Sequence, residues 1–484
     1  MLPFQKTTVY RKALETLQQV LHEYTRQNDP NLAGRLQEEA FDVTTNLAKA
    51  FSKLKKDEQM QLKSSIEGVV SMIALLDLSQ QSKNNISSVK RELLVDKLRC
   101  LQSDIENFKK TQKKILILSA KMGHGHMSAS SAIEEAIQER YGYDYDVEII
   151  DFVELLSSTM NAFSKRYYES SVKFAPNMYK LLYESSNKNV QIIKLLNQIN
   201  YPFVLSKIKK FFEEKQPALL ISTFPIWNYL AADIWKKYNK DAKFISVVTD
   251  SITIHNSWVL ADTDHYIVAN EDTKQSLIDL GEQEEKIKTL GFPVKLDFME
   301  NIDQKAFLKK LKLNPKKKTI LFLPTSQGTR KNQKIVKSIM EFDPHVNLII
   351  ITGRDSKNKP KLEKITSGRE NVRIIGWTNK MSDFIKAADI VVTKAGGATI
   401  MECIAAAKPM IITSVIPGQE EGNAQLIKKY HLGIVCGSRD NIAEHIDYIN
   451  KNRSTFDRYL TKQSNPKAAL DIAEFIHELL EAEV

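Results

Sequence analysis

Gly396 and Gly397 fall between a short β-branched run, residues 390–393, and a stretch of helix formers, residues 399–407. Strand, glycine turn and helix in that order make a site for a diphosphate. Adjacent glycines let the backbone approach an anion, and the unpaired N–H groups at the positive end of the helix dipole point at it. Glu402 lies about one turn into that helix, where a carboxylate can accept both hydroxyls of a ribose. From the two glycines alone, an ordinary strand-to-helix turn would read the same way. The next strand-like run, residues 410–413, leads into Pro417-Gly-Gln-Glu420, at the carboxyl end where open α/β sheets bind ligands. The amide of Gln419 beside the carboxylate of Glu420 suits sugar hydroxyls.

A second set of chemical groups stands far away in the chain. The apolar run at 115–119 is followed by Lys121-Met-Gly-His-Gly-His126 and by a helix expected to begin near Ser128. An imidazole at a helix start, His126, can take a proton from an attacking hydroxyl at neutral pH; a histidine satisfied by backbone is the plainer use. Asp250 closes the run Lys243-Phe-Ile-Ser-Val-Val-Thr-Asp250, again at the carboxyl end of a strand. Orienting His126 and acting as the base itself are both open to it.

Positioning these groups takes more than one core. The 484 residues exceed what one core organises, so two or three domains are expected, and 42% hydrophobic with 26% charged residues describes a globular chain. Residues 1–112 hold only two glycines and two prolines. Their apolar residues recur at helical spacing, as in Val89, Leu93, Leu94, Leu98, Leu101, Ile105 and Phe108. This predicts an all-α extension of three or four helices, with breaks near Pro30, near Asp57 and at 79–88. From Lys113 the texture changes. Strand-like runs at 115–119, 218–225, 243–250, 265–269, 318–323, 346–352, 372–375, 390–393 and 410–413 alternate with helical or loop segments, the pattern of doubly wound parallel sheets. The expected division is a helical extension at 1–112, an α/β domain at 113–300 and a second at 301–484, with a final helix near 467–480.

The net charge of +10 points to an anionic partner. Residues 152–215 interleave basic and aromatic side chains, among them Lys165, Arg166, Tyr167, Tyr168 and Phe174. An anionic membrane interface wants this mixture, because rings sit at headgroup level while cations meet phosphates. Single-stranded nucleic acid uses similar residues, and helices packing rings inward give the same pattern. No apolar run approaches the length of a bilayer span, and the N-terminus lacks the apolar core of a signal peptide, so a cytoplasmic chain is expected. Cys100, Cys403 and Cys436 are too few and too scattered for a disulfide framework or a zinc site.

Taken together, Thr393-Lys-Ala-Gly-Gly-Ala-Thr-Ile-Met-Glu402 and Pro417-Gly-Gln-Glu-Glu-Gly-Asn423 resemble the donor site of the monogalactosyldiacylglycerol synthases and processive diacylglycerol glucosyltransferases. Gly123, Gly125 and His126 match the Gly-x-Gly-His signature of that family, glycosyltransferase family 28-like in kind. Phe224-Pro225, Val248-Thr-Asp250 with His255 and Trp258, and Leu290-Gly-Phe-Pro293 extend the resemblance. It implies an α/β chain with two Rossmann-like doubly wound domains (GT-B), after the helical extension, and a final helix that can cross back to the first of them. It also implies an inverting enzyme using UDP-glucose or UDP-galactose, with Gly125, Lys394, Gly396, Gly397, Ala398, Thr399, Glu402, Gln419, Glu420 and Asn423 at the donor. The wider fold places Trp377, Thr378 and Met381 against the uracil. The acceptor would be diacylglycerol or its glycosylated form, met at the cytoplasmic face of a membrane by the 165–174 cluster with Phe224 and Pro225.

One departure stands out. Where the family carries a glycine-rich loop, Pro324-Thr-Ser-Gln-Gly-Thr-Arg330 keeps one glycine, and the hydroxyls of Thr325 and Ser326 would replace backbone contacts to the donor phosphates. No cofactor, no metal and no nucleic acid are expected. Residues 1–112 lie outside the resemblance and offer helices for self-association or partner docking. The competing readings are a lipid-linked N-acetylglucosaminyltransferase of peptidoglycan type, a UDP-sugar 2-epimerase, and a non-catalytic scaffold that responds to a UDP-sugar.

Overall fold

The computed structural model describes residues 8–25, 30–50, 64–65, 67–73, 95–102, 112–121, 125–142, 144–151, 154–155, 176–189, 206–225, 228–238, 243–325, 328–355, 358–437 and 440–482. It forms two compact units, residues 1–114 with 137–146 and residues 115–136 with 147–484.

In the first unit, the helices Thr8–Thr25 and Pro30–Ala50 and helical segments at 67–73 and 95–102 close on one apolar cluster. Leu17 and Val20, then Leu36, Ala40, Val43 and Leu47, then Leu98 and Leu101 repeat at three and four residues, so each helix turns one face to the others. The stripe expected along 89–108 is met at Leu98 and Leu101, joined by Val95. Val89, Leu93, Leu94, Ile105 and Phe108 lie outside the described residues, as do the breaks expected near Asp57 and at 79–88. Pro30 opens its helix, where a missing N–H costs nothing.

The second unit is organised by two six-stranded sheets. The strands of the first are β1 (Lys113–Ser119), β2 (Tyr145–Asp151), β3 (Leu219–Ser222), β4 (Lys243–Val247), β5 (His265–Val268) and β6 (Ile287–Thr289), in the order β2-β1-β3-β4-β5-β6. Those of the second are β7 (Thr319–Phe322), β8 (Asn347–Ile351), β9 (Val372–Ile375), β10 (Ile390–Lys394), β11 (Met410–Ser414) and β12 (Gly433–Val435), in the order β12-β11-β10-β7-β8-β9. The registered pairs are parallel, from Ile115 opposite Leu219 to Ile411 opposite Ile434. Central strands such as Leu219–Ser222 and Thr319–Phe322 are buried along their whole length, because helices cover both faces.

Each sheet has one place where the strand order reverses. It lies between β1 and β3 in the first and between β7 and β10 in the second. Loops leaving the carboxyl ends there diverge and open a crevice for ligands. β1, the strand that precedes His126 in the chain, and β10, the strand that precedes Gly396, end at these two places. Helix boundaries differ slightly from expectation. The His126 helix begins at Gly125 rather than near Ser128, and the helix after the paired glycines spans Gly397–Ala405 rather than 399–407.

The last helix, Ala468–Glu481, is preceded by Asn465, whose Nδ2 donates to the Leu290 carbonyl at 3.1 Å. Its Phe475 ring meets the His265 ring of β5 edge-on at 5.2 Å. Gly291 has φ +97°, and a Cβ there would fall 2.9 Å from that of Ala468, so glycine is required where this helix passes. No described helix is long and apolar enough to cross a membrane.

Candidate active site

His126 sits in the first turn of the Gly125–Tyr141 helix, beyond the carboxyl end of β1. Its Nδ1 lies 2.7 Å from the carbonyl oxygen of Thr223, just past β3. A carbonyl only accepts, so Nδ1 carries the hydrogen and the neutral ring presents Nε2 as its acceptor. Thr249 Oγ1 stands 2.9 Å from the same Nδ1, and the Phe224 ring packs edge-to-face on the imidazole at 5.0 Å. Below, Ser119, Thr223 and Ser130 form a buried hydroxyl chain that fixes the Thr223 backbone. Burial lowers the pKa of His126, while the charge of Asp250 and the Thr223 carbonyl oppose the shift. The net effect keeps the ring neutral at pH 7, as a base must be.

Asp250 is held by Trp258, whose indole Nε1 donates to Oδ2 at 2.8 Å; the His255 N–H lies 3.4 Å from that oxygen. The contacts that orient His126 at Nδ1 come from Thr223 and Thr249, and Asp250 bears on the imidazole through its charge. His255 itself is buried between Ser257 Oγ at 2.7 Å and Ser186 Oγ at 3.1 Å, and burial lowers its pKa.

On the opposing side, β10 ends at Lys394, and Gly396 and Gly397 lead into the Gly397–Ala405 helix, whose N-terminus no side chain caps. A Cβ on Gly397 would lie 3.8 Å from the Thr249 carbonyl oxygen, and one on Gly125 would lie 3.9 Å from the Ala398 nitrogen. Thr249 and Gly125 therefore lie close enough to the paired-glycine turn that one added side-chain carbon would bridge the gap. Asn423 Nδ2 donates to the Ala395 carbonyl at 2.9 Å and steadies the turn. Thr399 and Glu402 follow on the helix; burial pushes the Glu402 carboxyl up to about 7, against the opposing charge of Lys295.

The Pro417 loop closes a third side. Glu420 is buried and accepts from the Ile416 N–H at 2.9 Å with one oxygen, while the other pairs with the Lys394 ammonium. Gln419 Oε1 accepts from Tyr179 OH at 3.0 Å, which turns the amide donor of Gln419 to other partners. Tyr179 belongs to the Pro176–Lys188 helix, which also supplies Lys180 to Glu421 at 2.9 Å and the Tyr183 ring against Gly418.

Other expected positions fall elsewhere or serve otherwise. Phe224, expected on the acceptor and membrane side, is only 6% exposed and forms a wall for His126; Pro225 is buried beside it. Thr325 is pinned through its backbone, donating to Asn332 Oδ1 at 3.3 Å and accepting from Asn332 Nδ2 at 2.8 Å. Trp377 is 60% exposed beyond β9, the outer strand, with the Arg354 guanidinium 5.6 Å from its ring. Thr378 accepts from the Lys380 N–H at 3.1 Å and Met381 opens the next helix. Ser326, Lys165, Arg166, Tyr167, Tyr168 and Phe174 lie outside the described residues.

Thr223, Thr249 and Tyr179 were not singled out as site residues by their sequence, though Thr223 and Thr249 stand next to Phe224 and Asp250, which were. One cluster runs against the view of scattered cysteines: ligand atoms of Cys436, Asp440 and His445 lie within 4.8 Å of one another. Asp440 Oδ2 already accepts from the Gly437 N–H at 2.7 Å and faces His445 Nε2 at 3.1 Å, and burial with the Asp440 charge pushes the Cys436 thiol up to about 11. A thiol, rather than the thiolate a metal prefers, is its resting form at neutral pH.

Known protein families match the segments that carry these groups. Residues 126–294 match the family model of monogalactosyldiacylglycerol (MGDG) synthase, and residues 319–476 match the glycosyltransferase family 28 C-terminal domain. The chain carries both domains of this glycosyltransferase family. The processive diacylglycerol β-glucosyltransferase of Staphylococcus carnosus is 27% identical over 370 residues, 76% of this chain and 92% of its own. The enzyme of the same name from Bacillus subtilis is 24% identical over 72% of this chain and 90% of its own. Among solved structures, Staphylococcus aureus MnaA with UDP aligns at TM-score 0.51 and 12% identity, over 76% of this chain and 97% of that one. The UDP-GlcNAc 2-epimerase of Neisseria meningitidis aligns at TM-score 0.50 and 14% identity, over 77% of this chain and all of that one. At such identities the structural likeness establishes the two-domain fold. The matched segments begin at His126 and take in every strand of the two sheets except β1, leaving residues 1–125 outside them.

Proposed function

We propose that the protein is an inverting glycosyltransferase that moves glucose or galactose from a UDP-sugar to diacylglycerol, or to glycosyl-diacylglycerol, at the cytoplasmic face of a membrane. Residues 113–300 serve the acceptor and membrane, and residues 301–484 the donor. One observation carries the reading: His126 presents Nε2, and Thr249, at its other nitrogen, has its carbonyl within one side-chain carbon of Gly397 in the paired-glycine turn. The proposed base and leaving-group site are thus neighbours.

The reaction follows from that arrangement. The acceptor hydroxyl oxygen attacks the anomeric carbon in line, its proton passes to His126 Nε2, and the bond from the anomeric carbon to the UDP oxygen breaks with inversion. Negative charge gathers on the diphosphate, where the N-terminal amides of the Gly397–Ala405 helix and the Lys394 ammonium are placed to meet it. Glu402 accepts from the ribose, and Gln419 and Glu420 read the sugar. Lys394 pairs with Glu420 here, so donor binding draws the ammonium to the diphosphate and releases the carboxylate to the hexose. Helix dipole and ammonium together do the electrostatic task that a metal does in other transferases.

The test is to offer the purified protein radiolabelled UDP-glucose, UDP-galactose and UDP-N-acetylglucosamine with diacylglycerol vesicles and to resolve the lipids. Glucosyl- or galactosyl-diacylglycerol, formed in step with UDP, is the expected product. Isomerised UDP-sugar without acceptor, or transfer only of N-acetylglucosamine, would replace this reading.

A further inference from the structure

The Pro176–Lys188 helix has two faces with different surroundings. Met178, Leu181 and Leu182, three and four residues apart, form one side and are 51%, 67% and 46% exposed. Tyr179, Tyr183, Ser186 and Asn187 form the other, and every one of them has a partner in the site. Tyr179 donates to Gln419, the Tyr183 ring lies against Gly418, Ser186 Oγ meets His255 Nε2, and Asn187 accepts from the Asn256 N–H at 2.6 Å. Lys180 adds the ion pair to Glu421. Gly418 has φ +82°, and a Cβ there would lie 2.9 Å from the Tyr183 ring, so the sugar-reading loop is moulded on this helix at close range.

Large aliphatic side chains exposed together on one helix face mark an interaction surface. The sequence that flanks it is basic. Residues 152–215 carry ten Lys and Arg against five Asp and Glu, half of the whole chain's net charge of +10. An apolar helix face within a basic segment fits an anionic phospholipid surface, where aliphatic burial and charge act together.

Resting on the transferase reading above, we propose that this helix couples lipid docking to the donor loop. Met178, Leu181 and Leu182 enter the boundary between headgroups and acyl chains, and the docked helix, through Tyr179, Lys180 and Tyr183, fixes Gln419, Gly418 and Glu421 in the geometry that binds the hexose. The enzyme off the membrane then holds UDP-glucose loosely, and it tightens on the donor at the surface where its acceptor resides. Hydrolysis of the donor in bulk water is limited by the same device. Tyr179 is here a positioning residue, acting on the sugar through Gln419.

The experiment measures UDP-glucose affinity calorimetrically with and without vesicles of phosphatidylglycerol and phosphatidylcholine that contain no diacylglycerol, and vesicle binding separately by flotation. Wild-type protein is expected to bind UDP-glucose several-fold more tightly with vesicles. The triple variant Met178→Ser, Leu181→Ser, Leu182→Ser should lose roughly tenfold or more in vesicle binding and keep the vesicle-free donor affinity. Tyr179→Phe should float as wild type does but lose the enhancement. Leu181→Glu, a single exposed change, should repeat the triple variant's behaviour with an unchanged melting temperature. Equal donor affinity with and without vesicles, or normal flotation of both apolar-face variants, overturns the proposal. Because no acceptor is present, a failure here is distinct from a failure to transfer sugar to diacylglycerol.

Discussion

Burial pulls the pKa of His126 below its ordinary 6.5, and the charge of Asp250 pulls it back up. The imidazole is therefore neutral above that range, so kcat/KM should rise with pH through a value under 6.5 and then stay level. His126→Ala should lower kcat by ~10²–10⁴-fold with little change in UDP affinity, as steady-state rates and calorimetry would report. Asp250→Asn removes the charge that raises the imidazole, so the acid limb of the pH profile should move to lower pH and the plateau should fall modestly. A loss of ~10²-fold or more at every pH, with the limb unmoved, would make Asp250 the base instead. Glu402 behaves in the opposite sense. Its carboxyl is raised to about 7, so the form able to accept two ribose hydroxyls is lost as pH falls through neutrality. UDP binding should weaken below about pH 7. Glu402→Gln should abolish that dependence and cost ~1.5–3 kcal/mol of affinity, the worth of hydrogen bonds to a charged group. These residues were legible because glycine turns and helix starts have short signatures. Thr249 was not, because a threonine at a strand end has none.

At the level of elements, the loop after β4 is the contact on which the two sheets' ends depend. A Cβ on Gly422 would lie 2.1 Å from the Ser251 carbonyl and 2.5 Å from Thr253 Oγ1, so the Glu421–Lys429 helix meets that loop backbone to backbone. Ile252 adopts φ +59°, unusual for a β-branched residue, and the buried Ser251 hydroxyl finds no hydrogen-bond partner among the described residues. Strain held at such a place is a mark of function. Gly422→Ala should push the loop away and carry Thr249 and Asp250 with it, costing ~1–3 kcal/mol in stability by overpacking. Thermal melting would register that cost, and a fall in kcat out of proportion to it would trace the displacement of Thr249. Sequence located nine of the strands. The three it passed over, β2, β6 and β12, all lie at sheet edges. An edge strand is covered less completely, so it lacks the unbroken apolar run that marks a central parallel strand, and β6 and β12 are only three residues long.

Across the whole molecule, a charge of +10 makes the meeting with an anionic bilayer an electrostatic event. Flotation with phosphatidylglycerol vesicles should fall steeply between low and high salt, and a binding that ignored salt would assign it to the aliphatic face alone. Chelation of divalent ions should leave sugar transfer at its full rate if, as proposed, the helix dipole and Lys394 meet the diphosphate; turnover lost on chelation and restored by added metal would contradict this. The sequence alone determined the alternation of strand and helix, the helical extension, and the residues at the glycine turn, since each is written in local spacing and in side-chain type. Only the tertiary structure decided that Nδ1 of His126 faces a carbonyl, that Thr249 lies near both the imidazole and Gly397, and that Tyr179 reaches Gln419. Those contacts join residues from 97 to 240 positions apart, and no local pattern encodes which distant carbonyl or hydroxyl the packing of two sheets will bring into reach.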